Sequence, residues 1–154
     1  MAQPSLEFYS SLVRNIEGEC SFLRISGDFL VAGSNSGQVG CWSISSGSEF
    51  WRVEFEGPCS NSDSFGEVLY FTESNKIHSI DINSGEVLWS VELQGSSDFV
   101  RCTSEYLWVT SSVYNFEIQD YSEGAVWKLG LDGTVIQSWK TEGRAWALSS
   151  LEDS

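Results

Sequence analysis

The chain carries one histidine, His78, and four cysteines, Cys20, Cys41, Cys59 and Cys102. One imidazole cannot build a His-based metal cluster, and no Cys-x-x-Cys is present to seed a zinc site. A Ser-His-Asp set is possible on paper, since serine is abundant, but no serine sits in a nucleophile-elbow pattern. Carboxylate pairs occur at Glu17/Glu19 and Glu54/Glu56. Both are spaced i, i+2 at the ends of apolar runs, where solvated charge is the usual reason for them. These residues predict no catalytic centre, no cofactor and no metal, and so a chain that is not an enzyme.

The elements that would carry such residues repeat. Gly-Ser-Glu-Phe-Trp at 47–51 is echoed 38 residues later by Gly-Glu-Val-Leu-Trp at 85–89. The stretches Val39–Phe55 and Ile77–Leu93 align without a gap. Glycines at 18, 57, 95 and 143 open four similar segments. Within each of the first three, apolar runs are followed by a Gly turn and a last run. The turns are Ser45-Ser46-Gly47, Asn83-Ser84-Gly85 and Asp132-Gly133, which is hairpin chemistry. In Val87–Leu93 the odd positions are apolar and Ser90 and Glu92 are polar, the period of a half-buried strand. The second runs, such as Val68-Leu69-Tyr70-Phe71, are apolar on both faces, as strands between two sheets are. A period of about 40 residues built from short strands signals a propeller or a similar array.

Ser79-Ile80-Asp81-Ile82-Asn83-Ser84-Gly85-Glu86-Val87-Leu88-Trp89 resembles the tryptophan-docking repeat of quinoprotein-type propellers, Ala-x-Asp-x-x-Thr-Gly-Lys-x-x-Trp. Unit one keeps Ser46, Gly47 and Trp51 but has Ser43 in place of the Asp. In unit three the turn shortens to Asp132-Gly133, Gln137 takes the tryptophan slot, and Trp139 lies two residues on. The resemblance covers about residues 12–148. It implies that Gly47, Trp51, Asp81, Gly85, Trp89, Gly133 and Trp139 are structural docking residues, with each tryptophan ring between blades and stacked on the next turn. Active members of that family hold a quinone with calcium, a vicinal cysteine pair and a floor tryptophan. No two cysteines are adjacent here, so the resemblance implies fold and not redox activity. His78 falls in a slot held by Gly40 and Trp127 in the other units, a slot with no fixed chemistry.

The fold expected is therefore all-β: a partial β-propeller of about three four-stranded antiparallel blades, plus terminal half-blade strands. Blade 1 is expected at about 18–56, blade 2 at 57–94 and blade 3 at 95–142, within one repeat domain over 1–154. Half-blade strands are expected at about 6–16 and 143–150. A propeller closes with four to eight blades. An arc of three leaves two apolar blade faces and their strand edges open.

One segment breaks the period. Leu30 to Val39 and Val68 to Ile77 each span nine residues, whereas Leu107 to Val126 spans nineteen. Insertions in repeat proteins map to loops on one face, often the binding face. Tyr114, Phe116, Glu117, Asp120 and Tyr121 are the partner-binding candidates, because aromatic residues supply interface hot spots. The competing reading is an elongated hairpin whose rings pack on their own blade.

With 22 acidic and 8 basic residues the net charge is −14, which argues against nucleic acid and against an anionic membrane surface. No apolar run approaches a membrane span. Met1 to Glu7 has neither a basic stretch nor an apolar core, and the cysteines follow no secretory pattern. The location expected is cytoplasmic. The function expected is a non-catalytic interaction or scaffold module that self-associates to close or cap its arc. The alternative is a ligand-binding or quinoprotein-like enzyme subunit whose site is completed by a second chain.

Overall fold

The computed structural model describes residues 14–149. Twelve strands form three sheets of the same plan. The first holds β1 (Cys20–Ser26), β2 (Phe29–Ser34), β3 (Gln38–Ser43) and β4 (Glu49–Glu54). The second holds β5 (Cys59–Phe65), β6 (Val68–Glu73), β7 (Lys76–Asp81) and β8 (Val87–Glu92). The third holds β9 (Ser96–Cys102), β10 (Tyr106–Asn115), β11 (Asp120–Gly130) and β12 (Val135–Thr141). Each sheet is an antiparallel meander with strands in chain order. This is a partial β-propeller of three blades.

Side-chain alternation divides each sheet into two faces, and the two inter-blade spaces receive one face each. Phe22, Val31, Val39 and Cys41 of blade 1 meet Leu69, Phe71, Ile80 and Ile82 of blade 2. Tyr70 and Ile77, on the other face of blade 2, meet Val100, Leu107, Val109 and Leu129 of blade 3. In blade 2 the middle strands β6 and β7 are buried on both faces because a sheet lies on either side. The blades converge where β1 lies against β5 and β5 against β9, and fan apart toward β4, β8 and β12.

The convergent strands are sheet edges, so their outward backbone groups need partners. The neighbouring blade supplies them. Arg24 of β1 donates to the Ser62 carbonyl of β5 at 3.0 Å. Asn61 and Asp63 of β5 accept the Val100 and Cys102 N–H groups of β9 at 3.0 and 2.9 Å.

The terminal half-blade strands need correction over their described parts. Residues 14–17 and 144–149 carry no strand. Residues 6–13 and 150 lie outside the described residues. Where 14–17 runs, side chains rather than a ladder hold it. The Glu17 N–H donates to Gln38 Oε1 at 2.9 Å, and Ser36 Oγ donates to the Glu17 carbonyl at 2.7 Å.

Candidate functional site

The joints between blades are built by the residues of the repeat. Trp51 Nε1 of β4 donates to the Ile82 carbonyl of blade 2 at 2.7 Å. Its ring lies on Gly85, where an added Cβ would stand 2.6 Å from the indole. Trp89 Nε1 of β8 donates to the Leu131 carbonyl of blade 3 at 3.0 Å. Gly133 lies under that ring, with the corresponding approach at 2.8 Å. Both glycines have left-handed backbone, φ 74° and 85°, so only glycine gives both the turn and the flat seat. Asp81 holds the second turn by accepting the Asn83 and Ser84 N–H groups at 2.8 and 3.0 Å. In blade 1 the missing acid comes from a neighbouring turn: Asp28 accepts from Ser43 Oγ at 2.6 Å and from the Ser45 N–H at 2.8 Å. The Ser43 hydroxyl, foremost, holds the Asp28 carboxyl below its usual range. The Gly47 carbonyl accepts the Arg14 guanidinium at 2.7 Å.

His78 joins a hydrogen-bonded chain that its sequence slot did not announce. Ser90 Oγ lies 2.6 Å from Nδ1, and Nε2 lies 3.0 Å from Glu73 Oε2. Burial pushes the imidazole below its ordinary range, against the opposing pull of Glu73. Burial would raise the Glu73 carboxyl, but hydrogen bonds from His78 and Ser74 outweigh it and hold it low. The neutral ring therefore donates Nε2–H to Glu73 and accepts the Ser90 hydroxyl at Nδ1. The order serine, imidazole, carboxylate is that of a nucleophilic relay. Ser90, however, lies on the straight outer strand β8, not on a turn that turns backbone donors toward an oxyanion. Phe55 and Phe71 pack on the ring at 4.7 and 5.2 Å between centroids. His78 is a satisfied core histidine of the first joint. Among the described residues no group of histidine, cysteine and acid side chains could hold a metal. Burial raises the Cys41 and Cys59 thiols to about 12, which leaves them protonated and unreactive.

Blade 3 carries the sites that differ. The positions that face forward from blades 1 and 2, Val31 and Tyr70, are covered by the next blade. Their counterpart Trp108 is only partly buried. Lys128 lies over the Tyr106 ring at 3.8 Å and the Trp108 ring at 5.6 Å. Trp139 reaches no glycine turn; it stacks on Trp108 of its own sheet at 5.9 Å and 21°, and 40% of it stays exposed. The docking role implied for Trp139 is thus replaced by a pair of stacked indoles on an open blade face. Trp108 and Lys128 were not singled out from sequence. The available signal was a tryptophan in a slot that Val31 and Tyr70 fill in the other units.

The insertion is an elongated hairpin. β10 and β11 stay paired out to Asn115↔Asp120, while β9 stops opposite Ser112 and β12 stops opposite Gly124. Tyr114 packs edge-on against Phe116 and Tyr121 at 5.1 and 5.2 Å, and Tyr121 against Trp146 at 5.9 Å. The candidate rings therefore come together, and the sequence reading missed that Trp146 continues the row. Phe116 at the tip is 84% exposed. Glu117 and Asp120 flank it, each exposed. Arg144 ties the row to the blade: it pairs with Asp98 at 2.8 Å, donates to the Tyr121 hydroxyl at 3.0 Å and lies over Tyr121 and Trp146 at 4.7 Å. At the hairpin base a cleft of about 250 Å³ is lined by Ser111, Ser112, Glu123, Lys140 and Thr141, among others.

The family model for outer membrane protein assembly factor BamB matches residues 14–146. No curated protein matches the chain. Among solved structures it is similar to the computationally designed Ika4 protein at 11% identity and a TM-score of 0.80, over 99% of this chain and 89% of that one. It is similar to BamB from Moraxella catarrhalis at 21% identity and 0.63, over 78% of this chain and 35% of that one. It is similar to the WD40 domain of Toxoplasma gondii coronin at 12% identity and 0.68, over 84% and 36%. At these identities the likeness is one of fold. The chain spans about a third of the length of those two natural propellers.

Proposed function

The chain belongs to the BamB-like family of propeller repeats, and from that premise we propose that it is a non-catalytic interaction module that associates with a second copy of itself. One observation carries the reading. The forward face of blade 3 presents the partly buried Tyr106, Trp108 and Lys128 and the exposed Trp139, where blades 1 and 2 pack their side chains against the next blade. An exposed apolar face of this kind marks an interaction surface. Segment 14–17 already occupies part of the opposite end of the arc, through Gln38, Ser36 and Gly47. The blade 3 face is therefore the better contact, and two such faces meet most simply about a two-fold axis.

Light scattering coupled to gel filtration tests this. The expected mass is twice 17.1 kDa, and Trp139→Glu returns it to the single value. A native chain that stays at 17.1 kDa at tens of micromolar sinks the self-association. The non-catalytic part has its own test. A fluorophosphonate probe leaves Ser90 unlabelled, and specific labelling lost in His78→Gln overturns it.

The cleft between Glu123 and Lys140 favours a second reading, a ligand-binding or quinoprotein-like subunit completed by another chain. Saturable calorimetric binding of the quinone or calcium would establish it. The net charge of −14 weighs against nucleic acid as a partner. Four free cysteines, two of them buried, support a reducing, cytoplasmic setting. No helix among the described residues is long and apolar enough to cross a membrane.

A further inference from the structure

We propose that the blade 3 hairpin binds an extended segment of a partner protein that carries Arg or Lys side chains. The inference rests on the chain being an interaction module, but not on its dimerisation. Three observations carry it. First, Phe116, Tyr114, Tyr121 and Trp146 form a row of rings meeting edge to face, from the hairpin tip to the inner side of the blade. Phe116 and Trp146 are 84% and 68% exposed, and Tyr114 is exposed as well. Aromatic faces attract guanidinium and ammonium groups.

Second, the charge beside the row is negative. The insertion 111–123 contains Glu117, Asp120 and Glu123 and no basic residue. The bases nearby are Lys140, which shares the cleft with Glu123, and Arg144, which Asp98 neutralises. On a chain of net charge −14 this surface repels acidic segments and attracts basic ones. The row already holds one guanidinium in the predicted manner: Arg144 lies 4.7 Å from the centroids of both Tyr121 and Trp146.

Third, the hairpin offers backbone. Residues 113–115 of β10 extend beyond the last pair of the flanking strand β9, Ser112↔Ser96. They remain paired to β11 on their other side. A strand edge without a neighbour accepts an added extended segment, whose alternate side chains then fall on one face. Here one face holds the paired rings Tyr114 and Tyr121, and Glu117 lies at the tip beside Phe116.

The probe is a short peptide alternating Arg and Thr, with a twin in which Glu replaces Arg, titrated against the full chain by calorimetry. The Arg peptide binds with one site per chain, and the Glu peptide does not. Phe116→Ala weakens binding by about tenfold, the loss of one hot-spot contact, while circular dichroism and the melting midpoint stay native because the ring is 84% exposed and belongs to neither core cluster. Trp139→Glu, which breaks the dimer of the preceding section, leaves binding intact, so the two readings fail separately. Equal binding by native and Phe116→Ala chains would show diffuse charge attraction and overturn the proposal. So would Phe116-dependent binding to neutral phosphatidylcholine vesicles with none to the peptide.

Discussion

Each joint tryptophan combines two contributions that substitution can separate. Trp89 packs its ring on Gly133 and donates to the Leu131 carbonyl. Trp89→Ala removes both and is expected to cost about 3–5 kcal/mol. Trp89→Phe keeps most of the ring and leaves only the hydrogen bond unmade, at about 0.5–1.5 kcal/mol. Urea midpoints of the two variants check the order, and equal losses would remove the ring from the account. His78 gives a pH dependence with a definite sign. Its folded pKa lies below the unfolded value. Its contribution is thus complete above about pH 6.5 and is lost as pH falls, with a limiting slope of about 1.4 kcal/mol per pH unit. The Glu73 carboxyl, also held low, adds a loss of the same sign below its ordinary carboxylate value. His78→Gln, which can still bond Glu73 and Ser90, flattens the upper part of this profile in denaturant melts at pH 7, 6 and 5.

At the level of elements, the turns do more than reverse the chain. Gly66 and Gly85 both have positive φ, 60° and 74°. Around Gly66 an added Cβ meets nothing within 4 Å, whereas at Gly85 it meets Trp51 at 2.6 Å. Gly66→Ala is therefore expected to cost only the left-handed strain, about 1 kcal/mol. Gly85→Ala adds displacement of the indole, for about 2–4 kcal/mol in all. Melting midpoints measure the gap, and its absence would mean that the ring does not seat on the turn. Blade 1 shows that a turn can import a missing acid. Asp28, on the β1–β2 turn, does for Ser43 and Ser45 what Asp81 does for its own turn.

The described residues form an arc with one joint design used twice and an open face on blade 3. That face joins a negative net charge to an apolar contact, so association there is expected to strengthen with salt. Screening weakens the repulsion between two chains of charge −14 each, and leaves apolar burial in place. Sedimentation equilibrium at low and high sodium chloride checks this, and a dimer that dissociates in salt would point to an ion-paired interface instead.

The sequence by itself determined the blade count, the strand order and the two joints. Repetition writes each joint twice, and a glycine turn with a tryptophan a few residues on is a local pattern. It also marked the insertion, because a break in a period needs no structure to be seen. Tertiary structure alone decided what those residues do. Trp139 lies two residues beyond the docking slot, which Gln137 fills, and among the described residues no further glycine turn faces it; it stacks on Trp108 instead. Glu73, His78 and Ser90 fall on three successive strands, and only the register of β6, β7 and β8 brings them into one chain. Trp146 and Arg144 follow the last strand, and only the path of that segment across β11 carries them to Tyr121. Contacts within a repeat are short in sequence and recur. Contacts at its open end and across strands depend on register and path, which no local pattern encodes.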